Sequence, residues 1–175
     1  CHAIDLLRWV AGDPTETTAY SNQKVLTHWP VNDSTIAIFK FPNNVIGKVF
    51  CSIGCKRDYT MRTLFYGTKG TIIVNNTDPH IIVYREESVS GGRLFDGALD
   101  ISNSPDYSER SVMHRYPINI DNHNAAGENV AFRKAILNDE PAPTDGREGA
   151  KTVAVCCAVV ESAKTGMPVK IQYNF

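Results

Sequence analysis

His2 and Asp5 stand three residues apart at the head of the chain, in the stretch Cys1-His2-Ala3-Ile4-Asp5-Leu6-Leu7-Arg8-Trp9. Imidazole is the side chain that exchanges a proton near neutral pH, and a carboxylate one helical turn away faces the same side. The pair could bind a polar ligand and move a proton to or from one of its hydroxyls. Helix electrostatics offers a simpler account of Asp5, because an acidic residue in the first turn complements the dipole. A histidine at a chain end is ordinarily solvated.

Other reactive side chains carry less pattern. Lys56-Arg57-Asp58-Tyr59 reads as a polar turn, and His123 lies just ahead of a helix, where it could reach a pocket mouth. His28, His80 and His114 lack metal-ligand spacing, so no metal is expected. The spacings support no Ser/His/Asp or Cys/His nucleophile pair. Five cysteines are present, and Cys156-Cys157 lie side by side where adjacent thiols bridge poorly. Cys51 and Cys55 would share a strand face. Packed, reduced thiols are the expectation for all five, which favours a cytoplasmic location.

Those residues must be held by a framework, and at 175 residues with 42% hydrophobic content the chain is expected to form one domain, 1–175. Eighteen basic residues against nineteen acidic ones leave a formal charge of −1. No Lys/Arg run forms a phosphate-binding stripe, which argues against nucleic acid as a partner. No apolar stretch approaches the roughly 20 residues of a membrane span, so no membrane association is expected. Asn32-Asp33-Ser34 and Asn75-Asn76-Thr77 satisfy the glycosylation triplet, which is common by chance. The chain opens on Cys1 rather than Met, and we read it as a piece of a longer protein.

Periodicity predicts a helix over 3–11, with Ile4, Leu7 and Ala11 on its stripe, widened by Leu6 and Val10, and Gly12-Asp13-Pro14 as its stop. Strands are predicted over 15–21, 34–41, 45–53, 60–66, 71–74 and 80–85, rich in β-branched and aromatic residues. Pro42-Asn43-Asn44 and Gly67-Thr68-Lys69-Gly70 are tight-turn signals, so residues 34–74 read as a meander of adjacent antiparallel strands. Residues 86–117 are the least patterned, with short strands expected at 93–95 and 111–116. Helices follow over 125–137 and, from an Asp145/Glu148 capping box, over about 145–165. The apolar run Val153 to Val160 implies burial on all sides of that last helix. Val169-Lys170-Ile171 alternates as a closing strand. The expected fold class is α+β: an open, mainly antiparallel β-sheet backed by helices on one face, its other face packing against a second copy or another domain.

The opening His-x-x-Asp helix with its Trp resembles the start of the C-terminal domain of the Gfo/Idh/MocA family of NAD(P)-dependent oxidoreductases. Thr63-Leu64-Phe65-Tyr66-Gly67-Thr68-Lys69-Gly70-Thr71-Ile72 resembles the family's hairpin. The stretch from Phe132 to Asp145 is similar to its penultimate helix and turn. Gly146-Arg147-Glu148-Gly149 with Glu161-Ser162-Ala163-Lys164-Thr165-Gly166-Met167-Pro168-Val169 resembles its closing helix and strand. These segments occur in the family's order and touch both ends and the middle.

The resemblance implies an enzyme of two parts: an N-terminal Rossmann domain holding NAD or NADP, and this domain, which shapes a pocket for a sugar, polyol or related hydroxyl substrate and builds a homo-oligomer. Neither Gly-x-Gly-x-x-Gly nor the family's Glu-Lys-Pro segment occurs here, so this fragment is expected to bind no cofactor and to be inactive by itself. By the same resemblance His2 is the catalytic proton carrier and Asp5 binds a neighbouring hydroxyl. Tyr59 and Arg57 would face substrate, with His123 near the pocket mouth. The Asp that the family places four residues before its His would precede Cys1. Two other readings fit the same residues: an NAD-dependent glycosidase of the superfamily, and a non-catalytic dimerising or sugar-binding module.

Overall fold

Helix α1 (His2–Ala11) forms where its apolar stripe predicts, and buries Ile4 and Arg8 while Leu7 and Ala11 pack beside the core. Gly12 ends it at φ +83°, a backbone region that favours glycine, and its N–H donates to the Arg8 carbonyl. Val10 does not widen the buried stripe: it is exposed, as is Trp9 at 83%. The structure is a computed structural model that describes residues 1–87, 110–118 and 125–175. It divides into two compact units, Cys1–Lys56 with Ala125–Phe175, and Arg57–Asn124.

In the first unit β1 (Glu16–Asn22), β2 (Ser34–Lys40), β3 (Ile46–Ser52) and β8 (Val169–Lys170) form an antiparallel sheet ordered β3-β2-β1-β8. Period-two alternation sends Thr17, Ala19, Ala37 and Phe39 inward, where all are buried. Ala19 sits opposite Ala37. Two methyl side chains there leave room for α3 (Gly146–Thr165), whose Val155, Ala158 and Val159 join Phe39, Phe41, Ile4 and Ile171 in the core. Beyond the short β8, the Ala19 N–H donates to buried Ser162, whose hydroxyl donates to the Met167 carbonyl. Helix α2 (Ala125–Asn138) buries Ala135 alone and exposes Val130, Phe132, Ile136 and Leu137.

The opposite face of the sheet is apolar and open. Tyr20, Ile36 and Phe50 are cross-strand neighbours on it, and Ile38 and Ile46 extend it. All five side chains are exposed. The expected one-face cover of helices is therefore present, together with the bare second face.

The second unit holds a separate antiparallel sheet, ordered β4 (Arg62–Gly67), β5 (Gly70–Asn75), β6 (His80–Glu87) and β7 (Arg110–Pro117). Gly67 pairs with Gly70 across the expected tight turn. Gly70 has φ +153°, and a Cβ there would collide with the Tyr84 carbonyl oxygen, so only glycine fits. No described side chain of this unit is fully buried.

The α+β class and the antiparallel pairing agree with the sequence. The continuous meander over 34–74 does not, because β3 pairs with β2 and β4 with β5, and the two hairpins belong to different sheets. Residues 53–61 include Lys56, Arg57 and Asp58 in a long polar connection, without the tight turn that joins adjacent strands. The expected strand at 111–116 is β7, while the one at 93–95 lies outside the described residues.

Candidate active site

His2 occupies the first turn of α1, exposed, and has no hydrogen-bond partner among the described residues. Asp5 lies one turn along the same helix with its side chain 58% exposed. Thr152, in the second turn of α3, donates a 2.5 Å hydrogen bond to Asp5 Oδ1. The candidate carboxylate is thus tied to a helix that begins more than a hundred residues later.

Behind it lies a polar cluster built on Arg8, whose side chain is only 5% exposed. Nε donates to Asp13 Oδ1 at 2.9 Å, and Nη2 to Asp13 Oδ1 and Glu148 Oε2 at 2.7 and 3.0 Å. Nη1 donates to the Glu148 carbonyl and to Thr152 Oγ1 at 3.1 and 2.6 Å. Lys151 closes the cluster, 3.1 Å from Asp13 and 2.7 Å from Glu148. Burial alone would lower the Arg8 pKa, but hydrogen bonds to Asp13 and Glu148, with their charges, raise it above the ordinary value. Burial would likewise raise Asp13, yet Arg8 and Lys151 hold its carboxyl below the usual range. Bonds from Lys151 and Arg8 lower Glu148.

Glu148 therefore does not complete a capping box. Asp145 accepts from the Glu148 N–H at 2.9 Å as expected, but the Glu148 carboxylate turns to Arg8 and Lys151 instead of reaching back. A buried cation on α1 outcompetes a backbone N–H, because charge-assisted bonds are the stronger ones. Sequence reasoning missed Arg8 altogether. Its signal was position: Arg8 falls four residues after Ile4 and one after Leu7, on the stripe that α1 buries.

Arg57 and Tyr59 lie in the second unit, on the segment entering β4, and both are exposed. The Tyr59 carbonyl accepts from the Asn76 side chain at 3.2 Å, which fixes the backbone there. His123 lies outside the described residues. Among the described residues no His, Cys, Asp and Glu group could hold a metal ion.

The thiols correct the sequence reading. All five are free, but Cys1, Cys51, Cys55 and Cys157 are exposed and only Cys156 is half-buried, with burial pushing its thiol pKa up. Cys51 lies on the edge strand β3, where it is exposed, and Cys55 lies past the end of β3. Helix α3 is also not buried all round. It packs one face on the sheet and leaves Val153 and Val160 exposed, and an open groove of about 420 Å³ runs past Cys156, Cys157, Val160 and Lys164. No helix among the described residues is long and apolar enough to cross a membrane.

Residues 1–73, which include His2, Asp5, Arg57, Tyr59 and the β4–β5 hairpin turn, match the family model described as the GFO/IDH/MocA C-terminal domain. No curated protein sequence matches significantly. Among solved structures, levoglucosan dehydrogenase in its apo form superposes with a TM-score of 0.75 at 16% identity, over 98% of this chain and 49% of that one. Aldose-aldose oxidoreductase from Caulobacter crescentus, complexed with glycerol, gives 0.71 at 14% identity, over 97% and 45%. The WlbA dehydrogenase from Bordetella pertussis, in complex with NADH and UDP-GlcNAcA, gives 0.66 at 17% identity, over 98% and 43%. These likenesses establish the fold, and the chain spans less than half the length of each of the three.

Proposed function

We propose that this chain, which has the fold of the Gfo/Idh/MocA C-terminal domain and that family's sequence pattern over residues 1–73, is the substrate-facing part of an NAD(P)-dependent oxidoreductase acting on a sugar, polyol or related hydroxyl. The observation that carries the reading is the placement of His2 and Asp5, both exposed, one turn apart on one helix within the matched stretch. Structural relatives named as dehydrogenases and an oxidoreductase of sugars favour a redox reaction over glycoside hydrolysis.

The nicotinamide cofactor does not fit the residues described here. Every strand pair among them is antiparallel, and the sequence has no Gly-x-Gly-x-x-Gly, so no βαβ unit offers a helix N-terminus to a pyrophosphate. In our reading a Rossmann domain holds it, as part of the protein's remaining length, and the relatives' greater length supports this. Exposed Val130, Phe132, Ile136 and Leu137 on α2 give that further part apolar surface to cover.

His2 would take the proton of the reacting hydroxyl as its carbon is oxidised, since removing hydride from an alcohol carbon leaves that proton for a base. Asp5 accepts a hydrogen bond from a neighbouring hydroxyl and so orients the ring. The family resemblance extends the proposal to Arg57, Tyr59 and His123 as further candidate substrate-binding residues. The open apolar face of the first sheet, around Ile36, Ile38 and Phe50, builds a homo-oligomer by packing on a second copy, because monomers rarely leave such a patch uncovered. Five free thiols suit a cytoplasmic location.

The test uses the full-length protein that contains this chain, incubated with NAD or NADP and a panel of aldoses, anhydrosugars and polyols. Reduced nicotinamide accumulates with at least one of them. The 175-residue chain alone gives no turnover and no heat on titration with NAD. Tight NAD binding by the chain alone overturns the placement of the cofactor, and aglycone release from a glycoside without net reduction overturns the dehydrogenase reading.

A further inference from the structure

Asp5 is held from one side only. Its Oδ1 accepts from the Thr152 hydroxyl, and Thr152 is itself only 6% exposed. The direction of that bond is set by Arg8, because a guanidinium donates and cannot accept. The five N–H groups of Arg8 are all spent: three on Asp13 and the Glu148 carboxylate, one on the Glu148 carbonyl and one on Thr152 Oγ1. The Thr152 oxygen therefore accepts from Arg8, and its single hydrogen is left for Asp5. A hydroxyl that accepts from a cation is polarised into a better donor.

Asp5 adds little to the cluster behind it. Its carboxylate stands 3.7 Å from Arg8 with no hydrogen bond between them. What the relay fixes is the carboxylate's orientation, with one oxygen engaged.

We propose that Thr152 is a positioning residue for Asp5: by engaging Oδ1 it holds the carboxylate in one rotamer and presents Oδ2, the oxygen without a hydrogen-bond partner among the described residues, to a substrate hydroxyl. This rests on the proposed role of Asp5 in binding substrate. A carboxylate with both oxygens free accepts a hydroxyl in several orientations, whereas one oxygen held in place selects a single geometry and spares the ordering cost on binding. Specificity for hydroxyl configuration is then set partly from α3, by a residue that does not touch the substrate.

Two measurements separate this from a merely structural role. In the chain itself, NMR three-bond couplings at the Asp5 Cβ protons report a single staggered rotamer in the wild type and in Thr152→Ser, and averaged values in Thr152→Val. Averaged couplings in the wild type, or unchanged ones in Thr152→Val, overturn the proposal.

In the full-length protein, assayed with the panel sugar it oxidises fastest, Thr152→Val raises KM roughly tenfold, the scale expected for a lost bond to a charged group, and Thr152→Ser recovers most of it. kcat changes by less than about threefold, since uniform binding is what is lost. In an Asp5→Asn background Thr152→Val adds less than about twofold. A full effect persisting there overturns the proposal. Absence of turnover with every sugar overturns the functional reading instead, and the Asp5 couplings then decide the contact on their own.

Discussion

Replacing Arg8 with Met removes five hydrogen-bond donors from between α1 and α3 while keeping a side chain of similar reach. Breaking a fully buried ion pair from one side costs about 3–5 kcal/mol, and losing an exposed pair costs about 0–1 kcal/mol. The Arg8 cluster lies between these limits. The guanidinium is buried, but the side chains of Asp13 and Glu148 are 35% and 47% exposed, so water can replace part of what they lose. Lys151 also stays within ion-pair distance of both carboxylates. Against that, Thr152 loses its donor in a dry site, Asp13 and Glu148 are left facing one cation instead of two, and Asp5 loses Arg8 at 3.7 Å.

A cost of about 2 kcal/mol follows from weighing these limits. For a chain of this size it lowers the melting temperature by about 4–8 °C. Urea unfolding checks it: the midpoint falls while the slope holds, because the exposed area on unfolding barely changes. High salt should leave most of the difference in place, since a buried cation is screened little. A loss under about 0.5 kcal/mol, or a gain, would show that the helices are held by apolar packing alone and would refute the reasoning.

Other consequences follow from the same structure. Asp13, Asp33 and Glu148 titrate below their ordinary values, Asp33 because the Leu26, Val25 and Lys24 N–H groups bind its carboxylate. Lowered carboxylates contribute stability that is present above about pH 4 and lost as pH falls further, so acid unfolding monitored by circular dichroism should begin there and sharpen below it. Tyr173 is pushed up to about 12 by burial beside Asp13, so its contribution is complete below about pH 10 and fades above it, a change that tyrosinate absorbance reports. Gly70→Ala should cost more than about 1 kcal/mol, since φ +153° and the Tyr84 carbonyl both oppose a side chain; an unchanged urea midpoint would contradict it. Ile38→Lys on the open sheet face should turn an associating protein into a monomer by sedimentation, and association that survives the change would place the interface elsewhere.

Much of the fold was legible because it is written locally. The α1 stripe, the Gly12 and Gly166 stops, the Asp145 cap and the Gly67-to-Gly70 turn each depend on residues within a few positions of one another. What the sequence hid depends on distant partners. Nothing in residues 34–74 says that β3 and β4 belong to different sheets, because strand pairing is decided by edges that other segments fill or leave. The all-round apolar pattern of α3 overstated its burial, since among the described residues only its side toward β1, β8 and α1 finds partners, while Val153 and Val160 stay exposed. Arg8 meets Glu148 across 140 positions, and Asp5 meets Thr152 across 147, so no window along the chain contains either contact. The chemistry-bearing types were visible in His2 and Asp5, while the group that orients Asp5 was not.

The most direct test of the central claim is His2→Ala in the full-length protein, followed by nicotinamide reduction with the best sugar of the panel. If His2 is the proton carrier proposed above, its loss should lower kcat by about 10²–10⁴-fold, leaving cofactor affinity and KM within a few-fold. A kcat close to the wild type's would contradict the account, because the hydroxyl proton would then be leaving by another route and the head of α1 would not be the site.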